Sequence, residues 1–329
     1  MLRLLSKMKI NTLDKRGFQI SFAWLFAIIV GAFIIFLAIF ASVKLIGTAQ
    51  EISNVETGRE LEVLANVLET GFESSNTASL KIALETRIGN NCKKPSSFEP
   101  FGTQGLQLAQ KSLNRWSEVG TEIVFRNRYI FSEDITEGKK FFLFSKPFNF
   151  PFKVSSVIYL TSAEDNYCFI GLDENEEKED DIITEISNLN QENLFVENCP
   201  SSSINVCFDT FDSDYCDIEV NLAQKYVEKV ESGGVYFETN ALMYGAIFAE
   251  KGIYECQVKR MMSRLSVLAN TYYEKELLLS EKQSCPRSGR ALNLSATAMN
   301  LVNSGNLNEV KKVAESVGKI NARAICKLW

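Results

Sequence analysis

Residues 23–41 read AWLFAIIVGAFIIFLAIFA, and the charge-free segment around them extends from Gly17 to Val43. A helix needs about 20 apolar residues to cross a hydrocarbon core about 30 Å thick. No other segment of the chain is as long and as apolar. We therefore predict one transmembrane helix rather than a buried core helix. It is a retained anchor, because the apolar part of a cleaved signal peptide has only about 7–15 residues.

The flanks of this span predict its direction. Five basic residues and one acidic residue precede it, whereas the segment after Lys44 is rich in glutamate. An excess of Lys and Arg holds a short flank in the cytoplasm. We expect the N-terminus inside the cell membrane and the chain after Lys44 outside, with the lipid bilayer as the first partner.

Small side chains recur every four residues on the predicted span, at Ala23, Ala27 and Gly31. This spacing allows two helix backbones to approach closely in lipid, which predicts self-association through the membrane helix. The alternative is that Ala and Gly are simply common in membrane helices.

The junction before the span, residues 15–21, reads KRGFQIS. It resembles the class III signal of type IV pilins and archaeal flagellins, in which a short basic leader ends in Gly before a long hydrophobic helix. The resemblance implies that a prepilin peptidase cuts between Gly17 and Phe18. Many pilins carry Glu at the fifth mature position, which is Phe22 here. That departure bears on filament assembly more than on processing.

The longer segment KRGFQISFAWLFAIIVG also resembles the start of uncharacterised archaeal single-pass membrane proteins with cysteine-containing ectodomains. This second resemblance implies no activity. The pilin-like resemblance covers about a tenth of the chain, so the exported part has to be interpreted from its own residues.

All cysteines of the chain follow the span, and their number is even: Cys92, Cys168, Cys199, Cys207, Cys216, Cys256, Cys285 and Cys326. This arrangement predicts disulfides in an oxidising space rather than free buried thiols. Structural zinc sites usually contain a C-x₂₋₄-C knuckle, which is absent here, as is His. Spacing alone does not choose the pairs; we expect Cys92–Cys168, Cys199–Cys256, Cys207–Cys216 and Cys285–Cys326.

The pattern of the chain divides it into a basic leader (1–17), the transmembrane helix (18–46), a stalk helix (47–71) and an exported, disulfide-bonded domain (72–329). Apolar residues recur near a period of 3.6 in the stalk, which is expected to end near Thr70. The acidic run 173–181 (DENEEKEDD) is a candidate boundary between two subdomains. Its simplest interpretation is a solvated loop before a helix at 182–189.

The exported part is predicted to have an α+β fold with an antiparallel, β-rich region and a helical C-terminal region. Two segments are ambiguous, since 225–230 fits a strand or a short helix and 241–248 fits a strand or a buried helix. Strands are expected at 80–88, 105–110, 122–131, 141–144, 155–161, 167–172, 204–209, 217–220 and 235–238. Helices are expected at 252–280, 291–303 and 308–325.

Residues 141–152 read FFLFSKPFNFPF and are crowded with Phe. Pro147 and Pro151 are expected to break any long strand there, because proline cannot donate to a sheet. The segment is then either a loop that lines the core or an exposed surface that contacts a partner.

Polar clusters suggest little chemistry. Asp209, Asp212, Asp214 and Asp217 are weak candidates for a calcium site, and the alternative is a polar turn between strands. The net charge of −6 and the lack of a basic stripe outside the leader argue against a nucleic-acid partner. No cofactor-binding motif is present. Asn293-Leu294-Ser295 is a glycosylation sequon, a triplet that also occurs by chance.

The absence of His removes the Ser-His-Asp and Cys-His arrangements and the commonest general base. We therefore expect a non-catalytic surface protein, either pilin-like or an envelope scaffold. One alternative is an uncleaved, membrane-tethered domain that binds a protein or surface ligand. Another is an exported hydrolase that uses a pair of carboxylates, whose partners meet only in the folded protein.

Overall fold

A computed structural model describes nine segments of the chain: residues 22–70, 76–112, 114–117, 119–120, 122–196, 198–209, 215–230, 232–283 and 285–329. The predicted processing residues Gly17 and Phe18 lie outside these segments. The chain divides into two compact units, Met1–Ala49 and Gln50–Trp329.

Helix α1 (Phe22–Thr70) covers the described parts of the predicted span (18–46) and of the predicted stalk (47–71). Its part in the first unit includes Phe22–Leu45, which is long and apolar enough to cross a membrane and has no buried side chain. The N-terminal apolar helix is therefore confirmed.

The part of α1 in the second unit is amphipathic. Its buried positions recur three or four residues apart: Asn54, Thr57, Gly58, Leu61, Ala65 and Leu68. This spacing places them on one face of the helix. The described part of the helix extends to Thr70.

The first sheet has seven strands in the order β3-β2-β1-β6-β7-β5, with β4 paired to β2. All its pairs are antiparallel except β5 with β7. The strands are β1 (Asn76–Lys93), β2 (Thr103–Ser112), β3 (Arg115–Trp116), β4 (Ile123–Phe125), β5 (Ile130–Phe131), β6 (Ile135–Asn149) and β7 (Lys153–Ser162). The single strand expected at 122–131 is two short strands, β4 and β5.

Residues 141–149 of the Phe-rich segment are part of strand β6, so the expectation that Pro147 breaks the strand is wrong. Pro151 lies after the end of β6, as expected. Pro147 pairs with Ser156 of β7. The opposite neighbour, β1, pairs with β6 only from Asn76 onward, opposite Ser145. Within the described residues, β6 therefore has one sheet neighbour at Pro147, and an edge position tolerates proline. All Phe side chains of the segment are buried, which makes it core.

The second sheet has six strands in the order β13-β12-β11-β10-β8-β9. They are β8 (Tyr167–Ile170), β9 (Leu194–Phe195), β10 (Ile204–Phe208), β11 (Ile218–Asn221), β12 (Tyr226–Lys229) and β13 (Val235–Tyr236). Strand β12 resolves the ambiguity at 225–230.

The expected antiparallel arrangement is wrong for three of the five described pairs of the second sheet, because β8–β9, β8–β10 and β10–β11 are parallel. Helix α2 (Glu177–Leu189) lies between β8 and β9 and returns the chain in the same direction, as parallel pairing requires. The helix begins inside the acidic run. Glu177, Glu179 and Asp180 occupy its first turn, where the helix dipole favours negative charge.

The C-terminal region is helical, as predicted. Its helices are α3 (Asn240–Phe248), α4 (Lys251–Gln283), α5 (Arg290–Met299) and α6 (Leu307–Arg323), with a 3₁₀ turn at Ser304–Asn306. Helix α3 settles the second ambiguity. Thr239 caps it by accepting a hydrogen bond from the Leu242 N–H. Residues 241–248 are all buried, so the sequence shows no polar face that would reveal the helical period.

Two hydrophobic clusters stabilise the second unit. The smaller contains Leu61, Ala65 and Leu68 of α1 packed on the first sheet. The larger joins both sheets to the C-terminal helices, with members such as Phe144 and Val206. Burial of apolar surface contributes about 25 cal/mol per Å², so these clusters are the main source of stability.

All eight cysteines form disulfides, and two of the four expected pairs are confirmed: Cys207–Cys216 and Cys285–Cys326. The other two, Cys92–Cys168 and Cys199–Cys256, are wrong. The observed bonds are Cys92–Cys256 and Cys168–Cys199.

The topology explains the exchange. Strand β9 lies beside β8, opposite Cys168, so the chain that follows β9 brings Cys199 to it. The Cα atoms of Cys168 and Cys199 are 5.7 Å apart. Cys92 lies near the end of β1, and helix α4 packs against that strand and presents Cys256. Neither of these two disulfide pairs can be predicted from the spacing of the cysteines along the chain.

Candidate functional site

The apolar part of α1 is the most conspicuous surface of the first unit. Its 24 residues from Phe22 to Leu45 extend about 36 Å as an α-helix, which exceeds a hydrocarbon core of about 30 Å. Within the described part of the unit, the large apolar side chains are exposed. An apolar surface of this extent marks a contact with lipid or protein.

The three small residues predicted for helix packing lie on this surface. Ala23, Ala27 and Gly31 are four residues apart in the helix and so lie near one face. A side chain added at Gly31 would meet no atom within 4 Å. The face is open for a second helix, and association through it stays a prediction.

In the second unit, the stalk part of α1 is held against the first sheet at close range. A Cβ atom on Gly58 would lie 2.6 Å from Ile123 Cδ1 and 3.4 Å from Leu108 Cδ1. Glycine costs about 1 kcal/mol in a helix interior relative to alanine. Its position here therefore has a packing reason: it lets the helix backbone approach the sheet.

Polar contacts fix the position of the stalk along the sheet. The Ser145 hydroxyl donates to the Leu68 carbonyl at 2.9 Å. Near the other end of this segment, the Gln110 amide donates to Thr57 Oγ1 at 3.5 Å, and the Asn54 amide donates to Ser117 Oγ at 3.4 Å. These contacts and the apolar cluster beneath the helix hold it at both ends.

The predicted calcium residues do not form a described site. Asp209 Oδ1 accepts a hydrogen bond from the Leu222 N–H, and Asp217 Oδ2 accepts one from the Asn205 N–H. Asp212 and Asp214 lie outside the described residues. Asp217 thereby contacts β10, and Asp209 contacts the residue that follows β11. The polar-turn interpretation stays a prediction. Among the described residues, no group of three or more His, Cys, Asp or Glu side chains could hold a metal ion.

Asp165 is the described carboxylate that most resembles a catalytic acid. Burial raises its pKa, and the nearby carboxylates Glu133 and Glu164 raise it further. Glu133 is paired with Lys229 at 2.6 Å. Asp165 does not line any of three depressions of about 210–480 Å³ on the described surface. The raised pKa is therefore explained by burial beside two other acids.

Arg260 on α4 was not anticipated from the sequence. Its side chain is completely buried, and it is the largest fully buried side chain among the described residues. The guanidinium lies 4.9 Å from the Tyr129 ring centre. Burial lowers the pKa of Arg260 to about 10, so it is still charged at neutral pH.

The guanidinium of Arg260 connects two loops by hydrogen bonds to their carbonyl oxygens. It donates to the carbonyl oxygens of Phe101 at 3.1 Å, Arg126 at 2.9 Å and Arg128 at 2.9 Å. It also donates to the Phe125 carbonyl and to the Gln257 side chain. Within the described residues no carboxylate pairs with it, so backbone dipoles compensate the buried charge. This arrangement stabilises structure and offers no reactive group.

No protein-family model matches the chain, and no curated protein or solved structure shows significant similarity to it. The function must therefore be inferred from its own residues.

Proposed function

We propose that the protein is a non-catalytic, membrane-anchored surface protein with a pilin-like organisation. One observation carries the proposal: a single helix, α1, is apolar and exposed from Phe22 to Leu45 and packs one face on the first sheet between Asn54 and Leu68. An anchor helix that continues into a sheet-packed stalk is the arrangement that the resemblance to pilins implies.

The charges and disulfides support the direction of the anchor. The basic leader before the span favours the cytoplasm, and all four disulfides lie after the span. Disulfides form and persist in oxidising compartments outside the cytoplasm. The second unit is accordingly placed outside the cell membrane, with a single span.

The proposal includes two partners besides the bilayer. A prepilin peptidase cuts between Gly17 and Phe18. A second copy of the chain contacts the face that carries Ala23, Ala27 and Gly31, where close backbone approach is favourable in lipid. The alternative of a tethered binding domain loses one of its reasons, because the Phe residues of 141–152 are buried and offer no apolar contact surface.

Co-expression of the full chain with an archaeal prepilin peptidase tests the proposal. The intact mass of the membrane-purified protein should fall by the mass of residues 1–17. Gly17→Leu should abolish this loss, because the resemblance places Gly directly before the cut.

Gly47→Leu is the matched control. It makes the same glycine-to-leucine change within α1, where a side chain at Gly47 would meet no atom within 4 Å. It should leave processing intact. A wild-type chain that keeps residues 1–17, while a pilin substrate in the same cells is cut, would contradict the pilin-like assignment.

A further inference from the structure

The sequon Asn293-Leu294-Ser295 lies in helix α5, on the unit that the proposed function places outside the cell. The Asn293 side chain is exposed, and it makes no hydrogen bond or ion pair with the described residues. Its backbone groups take part in the helix, since the carbonyl accepts from Thr297 Oγ1 at 2.8 Å. Its amide nitrogen is therefore accessible and has no structural role.

We propose that Asn293 carries an N-linked glycan. The reaction joins the side-chain nitrogen Nδ2 to the anomeric carbon of a sugar on a lipid phosphate carrier. The lipid phosphate leaves with the electron pair of the broken C–O bond, and the amide proton passes to a base of the transferase. The site rests on the proposed function, because sequons are glycosylated on the exported side of the membrane.

The hydroxyl of the sequon determines when the reaction occurs. Ser295 Oγ lies 3.0 Å from Ser266 Oγ of helix α4, in a partly buried contact. In the folded protein this hydroxyl is engaged by α4 and held within a helix. The transferase therefore acts on the segment before α5 docks on α4 and before Cys285–Cys326 closes the loop around it.

The surroundings of Asn293 fit a sugar in the folded state. Leu292 is 44% exposed and Met299 is 61% exposed, and with the exposed Ala296 they form an apolar stripe along α5. Asn293 borders this stripe. A glycan there covers apolar surface that would otherwise favour association between copies.

Intact-mass measurement of the full chain from membranes of an N-glycosylating archaeal host tests the inference. The wild type should exceed its polypeptide mass by a whole number of sugar residues. Asn293→Gln and Ser295→Ala should remove this excess, and Ser295→Thr should keep it.

Ser266→Ala is the matched control, because it breaks the same Ser266–Ser295 contact without changing the sequon. It should keep the glycan. Loss of the excess mass in Ser266→Ala as well as in Ser295→Ala would overturn the role of the sequon. A wild-type chain of bare polypeptide mass, beside a reporter sequon that is modified, would overturn the inference itself.

Protease treatment of intact cells in the same experiment distinguishes the absence of a glycan from a failure of the proposed function. Digestion of the second unit together with a bare polypeptide mass overturns the glycan alone. Protection of the second unit in intact cells overturns the exported location and, with it, the glycan.

Discussion

Replacing Cys92 and Cys256 together by alanine is expected to lower the free energy of unfolding of the second unit by about 5 kcal/mol. The bond joins residues that are 164 positions apart and connects β1 to α4. Its loss greatly increases the conformational entropy of the unfolded chain, because a long loop is no longer closed. Most domains are stable by only about 5–15 kcal/mol, so this change approaches complete unfolding.

The matched control removes Cys207 of β10 and Cys216, which precedes β11 and is nine positions away in the chain. The same relation predicts a loss of about 3 kcal/mol for this shorter loop. Denaturant unfolding of the full chain in detergent under oxidising conditions, followed by circular dichroism, compares the two variants. Equal losses would contradict the account, since the long loop would then contribute no extra stability.

Arg260→Met is expected to lower the free energy of unfolding by about 2–3 kcal/mol. Methionine keeps much of the apolar volume, but it leaves the carbonyl oxygens of Phe101, Arg126 and Arg128 without their donor. Removal of the costly buried charge offsets part of this loss. Arg260→Lys should restore only a fraction, because an ammonium group cannot match the planar set of guanidinium donors.

Lys259→Met is the control for Arg260, since it removes a neighbouring positive charge from the same helix at a half-buried position. It should change the free energy of unfolding by less than about 0.5 kcal/mol, as surface substitutions usually do. Thermal unfolding of the three variants in the same detergent measures the difference. A Lys259→Met loss as large as that of Arg260→Met would show that charge, rather than the carbonyl contacts, decides stability.

Features with a local cause could be predicted from the sequence. The apolar span and most strand and helix positions follow from periodicity and composition. The Cys207–Cys216 bond also has a local cause, because only nine positions separate the two cysteines. These features depend on residues that lie close together in the chain.

Features that depend on tertiary neighbours could not be predicted. Pro147 lies within β6 and pairs with Ser156 of β7, a matter of register between strands that the sequence does not show. Cys92 meets Cys256 because α4 packs on β1. No pattern in the sequence around Arg260 identifies the loop carbonyl oxygens to which its guanidinium donates.

The sequence of the stalk gave a partial indication of how the helix packs. Gly58 interrupts an amphipathic helical pattern, and an isolated glycine in such a pattern often marks a close approach. Which surface it approaches, Ile123 and Leu108 of the first sheet, required the fold. For the apolar part of α1 the sequence supplied the candidate residues Ala23, Ala27 and Gly31. The proposed partner of this face is the same helix in a second copy of the chain.

The proposed location of the second unit outside the cell membrane is tested most directly by an accessible cysteine. All eight native cysteines are in disulfides, so a membrane-impermeant maleimide should label only an introduced thiol. Val302 follows α5 and is 67% exposed, which makes Val302→Cys a suitable position. Because the second unit lies outside the membrane in the proposed function, intact cells should be labelled as fully as lysed cells. Labelling that requires lysis would contradict it.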